Sequence, residues 1–366
     1  MPDRYTDILV VDLLGGIGDL VMVLPVVHAL AGRHPGARLR VVTHEPGADL
    51  LRGDPAVSAV RTPAHARPGA EREAVAAALA EGRPDLAITT TRYDGIPDLL
   101  RSAAGRCVTD LWRGPPPDEL VSRRYLRILA EEGVLDPAAV DPVPRLRLTT
   151  GERAEGARVL ATLLARGRSP WAGGGRRPVV LVPEAGMAVK RWPERRWREL
   201  VALLAGLGIP LLTPAPTAAK TPDAAGTGTP DGLVPVLPPL GLRELAGVFA
   251  AVAGRDGVVV GGDTGPLRVA AASGARTVAL FGPTLASRYG LGDPAAAHLQ
   301  GLPGCPHRRP TAITTQVCWW HADCPLSAGE PACLAAIPAR TVATTVLGAG
   351  GPVHRDPPGF AVPPEG

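Results

Sequence analysis

Ile8-Leu9-Val10-Val11-Asp12-Leu13-Leu14-Gly15-Gly16-Ile17-Gly18-Asp19 sets an apolar, β-branched run against a glycine-rich turn. Ile8–Val11 has the length and side chains of a strand buried on both faces. From Asp19 to Ala31 the apolar residues take a helical period, so the glycines link a strand to a helix. Glycine lets the backbone turn tightly and meet a ligand with no Cβ in the way. N–H groups at a helix start can then face an anion. The same residues also read as a plain tight turn capped by Asp19. Val21 stands where the last glycine of G-x-G-x-x-G would fall, so a dinucleotide fingerprint is poorly matched.

The alternation continues on either side of this turn. Leu39–Thr43 and Leu86–Thr89 read as buried strands, and Glu71–Ala80, Asp118–Glu132 and Glu152–Ala165 as helices. Strands alternating with helices favour right-handed βαβ units and a parallel sheet. Gly167–Pro178, with three consecutive glycines, proline and flanking arginines, has the composition of an interdomain joint. Beyond it the pattern restarts: Val179–Val182, Pro210–Leu212, Gly257–Gly261 and Thr277–Phe281 read as strands. Glu194–Ala205, Leu242–Val252 and Pro266–Ser273 read as helices. The expected fold is α/β, with two facing Rossmann-like domains and a cleft between them. Residues 1–166 form the first, 167–178 the linker, 179–350 the second and 351–366 a disordered tail. Thr213–Gly232 reads as a mobile loop, and the joint is expected to let the domains close.

A chain of 366 residues is comfortable for two domains, and 45% hydrophobic with 20% charged residues excludes disorder as the main state. The net charge of +4 is a weak argument for nucleic acid, though it allows an anionic ligand or peripheral contact with a membrane surface. Lys190 and Lys220 are the only lysines among 39 Lys and Arg, and asparagine is absent, which fits GC-rich coding. Charged residues interrupt every apolar stretch before it reaches the length of a membrane span, and Met1–Asp7 is polar. Five cysteines are too few for a disulfide scaffold of this size. A cytoplasmic monomer is expected.

Two further turns follow strands of the second half. Pro183-Glu184-Ala185-Gly186-Met187-Ala188-Val189-Lys190-Arg191-Trp192-Pro193 leaves a strand where ligands sit in open parallel sheets. Lys190 can bring a compact positive charge to a phosphate, with Arg191 as an alternative. Gly261-Gly262-Asp263-Thr264-Gly265-Pro266 combines glycines, a hydroxyl and a helix start where a diphosphate could bind. Each turn alone also reads as a solvated loop or a capped βα turn.

Together and in this order, the three stretches resemble glycosyltransferase family nine, which includes the ADP-heptose:lipopolysaccharide heptosyltransferases. The resemblance runs from about Ile8 to Val346. It takes in Phe281-Gly282-Pro283-Thr284 and a cysteine-containing region ending in Cys333-Leu334-Ala335-Ala336-Ile337. It implies a GT-B architecture and an inverting, metal-independent transfer from a nucleotide sugar, ADP-heptose among the candidates, to a hydroxyl acceptor. No cofactor is implied. Asp19 matches the family's general base, with Gly15, Gly16 and Gly18 as the acceptor-side turn. Lys190 matches the phosphate-contacting lysine, with Gly186 and Met187 also expected on the donor side, and Asp263, Thr264 and Gly265 match the donor-binding turn. The expected acceptor is a hydroxyl of a glycan, a lipid-linked sugar or a metabolite, and a lipid-linked one would place the protein at the inner face of the membrane.

Arg268 stands where the family usually has histidine. Arginine keeps a cation near the nucleotide but cannot shuttle a proton at pH 7. Pro214 and Pro216 occupy the region after Leu212 where an acidic donor contact would be sought. Two other classes therefore stay open. One is a nicotinamide-dependent oxidoreductase using Gly15–Gly18 and Glu45. The other is a catalytically silent GT-B-like binding protein. Cys305, Cys318, Cys324 and Cys333, with His307 and His321 among them, supply enough ligands for zinc but no C-x-x-C knuckle, and read as free thiols.

Overall fold

The computed structural model describes residues 4–136, 141–166, 177–215 and 234–348. The first half runs β1 (Asp7–Asp12), α1 (Ile17–Arg33), β2 (Arg38–Thr43), α2 (Asp49–Arg52), β3 (Ala59–Arg61), α3 (Ala70–Ala80), β4 (Leu86–Thr89), α4 (Ile96–Ala103), β5 (Arg106–Val108), α5 (Val121–Glu131) and α6 (Thr150–Arg166). The second runs β6 (Val179–Val182), α7 (Glu194–Gly206), β7 (Leu211–Leu212), α8 (Leu242–Ala253), β8 (Val258–Gly262), α9 (Gly265–Ala272), β9 (Arg276–Phe281), α10 (Ala286–Tyr289), β10 (Ala296–Gln300), α11 (Ala332–Ala335) and α12 (Ala339–Gly348).

Each half holds a parallel sheet, ordered β3-β2-β1-β4-β5 and β10-β9-β8-β6-β7. The two orders differ in chain order: the central strand is β1, the first strand of its half, in one sheet and β8, the third strand of its half, in the other. Strand alternation sorts the side chains between faces. In the first sheet Leu9, Val11 and Val42 pack against α3 and α4. Ile8, Val10 and Val41 face α1 and α5 on the other side. In the second sheet Leu181, Val260 and Leu280 meet Trp192, Trp197 and α12. Val182, Val259 and Phe281 turn instead toward α8 and α9, into the cluster that holds α1. The two inward faces therefore share one apolar layer, and the two central glycine turns open at its edge.

The elements read from sequence are present, with shifted ends. The helix expected from Asp118 begins at Val121, because Leu120 is extended and Glu119 turns its carboxylate toward Arg127 at 2.7 Å. The edge strands β3 and β5 carry no apolar alternation and escape a pattern search. The 167–178 joint lies outside the described residues except for Arg177 and Pro178. The 351–366 tail lies wholly outside them, as does most of the 213–232 insertion. Although α6 precedes the joint, it packs on α8. A Cβ on Gly156 would stand 2.1 Å from the Gly247 carbonyl carbon, so two glycines let these helices touch backbone to backbone.

Candidate functional site

The chain leaves β1 through Asp12 and Leu13 and turns at Gly15, whose φ of +102° is a glycine conformation. Gly16 is the N-cap of α1, so Asp19 lies in the first turn of the helix and is not its cap. Its carboxylate folds back over the turn: a Cβ on Gly16 would be 2.6 Å from Asp19 Oδ2. On the other side, β8 delivers Asp263, Thr264 caps α9 and Gly265 starts it. The starts of α1 and α9 meet. A Cβ on Gly265 would lie 2.7 Å from Ile17 Cβ, and one on Gly18 would lie 3.1 Å from Arg268 Cδ. Two glycines read from sequence as ligand-facing thus also serve this close approach.

Lys190 ends a short 3-10 turn (Ala188–Lys190) held by buried Val189 and by Trp192, whose Nε1 donates to the Ile337 carbonyl at 3.1 Å. Gly262 brings β8 up to this loop, where a Cβ would be 3.1 Å from the Lys190 carbonyl oxygen. Lys190 Nζ donates to Asp263 Oδ2 at 3.0 Å and to its carbonyl at 3.2 Å. Arg268 donates to Asp263 Oδ1 at 2.6 Å and also to the Tyr289 carbonyl. Thr284 Oγ1 completes the set, at 2.9 Å from Asp263 Oδ2. Although burial opposes ionisation of Asp263, Lys190 and Arg268 hold its carboxyl well below the usual range. Thr264 Oγ1 is buried and has no hydrogen-bond partner among the described residues. A buried orphan hydroxyl beside a lysine and a helix start suits an incoming oxyanion. Gly186 is exposed and Met187 half-buried at the near end of the Lys190 loop.

Asp19 faces this cluster. Burial raises its pKa, Lys190 and Arg268 pull it down, and Asp263 pushes it up. A helix start favours the anion, but burial of the turn outweighs it.

Asp12 is a site residue that sequence reasoning missed. It is buried, accepts a hydrogen bond from Thr90 Oγ1, and is pushed up to about 7 by burial and by Asp19. Its signal was present: Thr89-Thr90-Thr91 ends the neighbouring strand with hydroxyls at a place where apolar residues are expected. The sign follows. An acid raised on folding favours the native state fully below its unfolded pKa, and that stability is lost as pH rises through about 7. Asp12→Asn should therefore gain roughly 1–3 kcal/mol over wild type at pH 8 and much less at pH 4. Urea melts at the two pH values check this, and equal differences at both would refute it.

The cysteines come together without forming a bridge. Cys305, Cys318, Cys324 and Cys333 line one cavity with His307 and Arg308, and all are free. Burial pushes Cys333 up to about 11. Among the described residues no group of three or more His, Cys, Asp or Glu is placed to hold a metal ion. No helix among them is long and apolar enough to cross a membrane.

Residues 102–309, more than half of the chain, match the model of glycosyltransferase family 9 (heptosyltransferase). Lipopolysaccharide heptosyltransferase 1 of Escherichia coli K12 is 35% identical over 95 residues, 26% of this chain and 28% of that protein. The match thus spans under a third of this curated relative's length. The family 9 glycosyltransferase of Veillonella parvula has a similar structure at 16% identity, with a TM-score of 0.72 over 95% of this chain and 98% of that one. E. coli ADP-heptose LPS heptosyltransferase II follows at 19% identity and a TM-score of 0.64, covering 94% and 98%. Both neighbours share the arrangement of two parallel-sheet α/β domains that is the GT-B fold. With a family model matched across its centre and both sheets in place, the chain belongs to glycosyltransferase family 9.

Proposed function

We propose that the protein is an inverting glycosyltransferase that moves a sugar from a nucleoside-diphosphate donor to a hydroxyl acceptor, with no cofactor or metal. The observation that carries this reading is the meeting of Asp19, from the first half, with Lys190, Asp263 and orphaned Thr264 from the second. One side supplies a proton acceptor and the other an anion site, as displacement at an anomeric carbon requires.

In that reaction the acceptor oxygen attacks the anomeric carbon and its proton passes to Asp19. The bond to the donor diphosphate breaks, and its electrons stay on the leaving oxygen. Lys190, the Thr264 hydroxyl and the N–H groups opening α9 meet the growing charge. Asp263 holds Lys190 and Arg268 in place until phosphate shares them. Arg268 is buried and paired, so the cation that replaces the family's histidine acts on Asp263 and is not a free proton carrier.

ADP-heptose, the donor named for the E. coli structural neighbour, is the first donor to test. Action as a monomer at the cytoplasmic side, with peripheral membrane contact for a lipid-linked acceptor, belongs to the same proposal. Lys190→Ala should weaken nucleoside-diphosphate binding by roughly 1–3 kcal/mol, about 5- to 150-fold, through loss of a charge-assisted contact. Titration calorimetry reads this directly; equal affinity would remove Lys190 from the site. Nucleotide binding with no transfer to any hydroxyl acceptor would instead favour the silent binding protein.

A further inference from the structure

Arg124 on α5 and Arg288 on α10 come from opposite halves, and each is at most 1% exposed. Arg124 NH1 and Arg288 Nε are both buried without a hydrogen-bond partner among the described residues. Arg124 reaches Glu119 only at 3.4 Å, while Glu119 is engaged by Arg127 at 2.7 and 2.9 Å. Arg288 spends NH1 on the Pro116 carbonyl, 2.8 Å away across the halves. Aromatic rings flank the pair: Trp112 lies 5.6 Å from the Arg124 guanidinium and Tyr289 lies 5.8 Å from that of Arg288. Burial and the facing charge of Arg288 lower the pKa of Arg124. Two like charges kept from water with unfilled donors are unfavourable unless a counterion joins them.

We propose that Arg124 and Arg288 form an oxyanion-binding subsite between the two halves, taking a phosphate or carboxylate group. A guanidinium presents a planar fork that matches either group, and one anion engaging both forks would tie α5 to α10. Tyr289 links this subsite to the Asp263 cluster, because its carbonyl accepts from Arg268 and the next residue back is Arg288. The anion is either the donor's own diphosphate or an acidic group on the acceptor. The subsite goes beyond the transferase reading, since an anion would bind there even in a protein that transfers nothing.

The test uses the full chain carrying Lys190→Ala, which weakens the other anion site. Inorganic phosphate at matched ionic strength should raise its melting temperature by about 2–5 °C over chloride. That rise should vanish when Arg124→Gln or Arg288→Gln is added. An unchanged rise in both double variants, or no rise in the Lys190→Ala protein, would overturn the proposal. Should the added variants fail to fold, hydrogen exchange on the Lys190→Ala protein decides. Phosphate should slow exchange in residues 116–131 and 284–291, and protection elsewhere alone would count against the subsite. Adding ADP then separates the sources. Displacement of phosphate assigns the subsite to the donor diphosphate, and additive stabilisation assigns it to the acceptor.

Discussion

Asp19→Asn is expected to fold normally, bind nucleoside diphosphate nearly as well as wild type, and lose sugar transfer by at least ~100-fold. Asparagine keeps the shape of the side chain and its place in the first turn of α1, but it cannot take the acceptor's proton. General-base assistance is typically worth roughly 10²–10⁴ in rate, about 3–5 kcal/mol of barrier. Burial raises the Asp19 pKa, which makes its anion a stronger base. Lys190 and Arg268 oppose that rise and favour the ionised form. The measurement is turnover together with calorimetric ADP affinity. Full turnover in a correctly folded Asp19→Asn protein would leave Asp19 as a first-turn helix residue and nothing more.

Asp263→Ala should cost about 3–5 kcal/mol of stability, because it strands two cations against a buried site. Its carboxylate accepts from Lys190, Arg268 and Thr284, and it is 6% exposed. Its folded pKa is depressed, so its contribution is present above the unfolded value near 3.8 and is lost as pH falls through the folded one. The gap between wild type and variant, read by denaturant melts, should be wide at pH 7 and shrink in acid. A gap that stayed constant down to pH 2 would mean that the loss came from packing alone.

The sequence made the sheets legible because β1, β4, β6, β8 and β9 are central or nearly so, and their apolar runs say it. The edge strands were hidden for the opposite reason: Ala59–Arg61 and Arg106–Val108 have an open side and need no apolar alternation. The three turns of the site were readable from glycine, hydroxyl and charge at βα junctions. Glycine was only half understood, since the contact of Gly18 and Gly265 with the opposite half depends on how the halves dock, which no local pattern encodes. Asp12, Arg124 and Arg288 were missed because each lies in a stretch that reads as an ordinary strand end or helix. Only tertiary burial makes their charge informative.

The glycine contact between α6 and α8 bears on how this chain can be divided. A fragment beginning at residue 177 would carry β6 to α12 but expose the stripe of α8 that meets Gly156, with no Cβ on Gly247 to cover it. It would also lose the pairing of Arg243 with Glu152 and the bond from Leu146 N–H to the Ala272 carbonyl at 2.8 Å. The second half thus has its α8 covered by a helix from upstream of the joint. Residues 145–166 should accompany it in any attempt to express the second half alone, as a strap that covers the exposed stripe of α8.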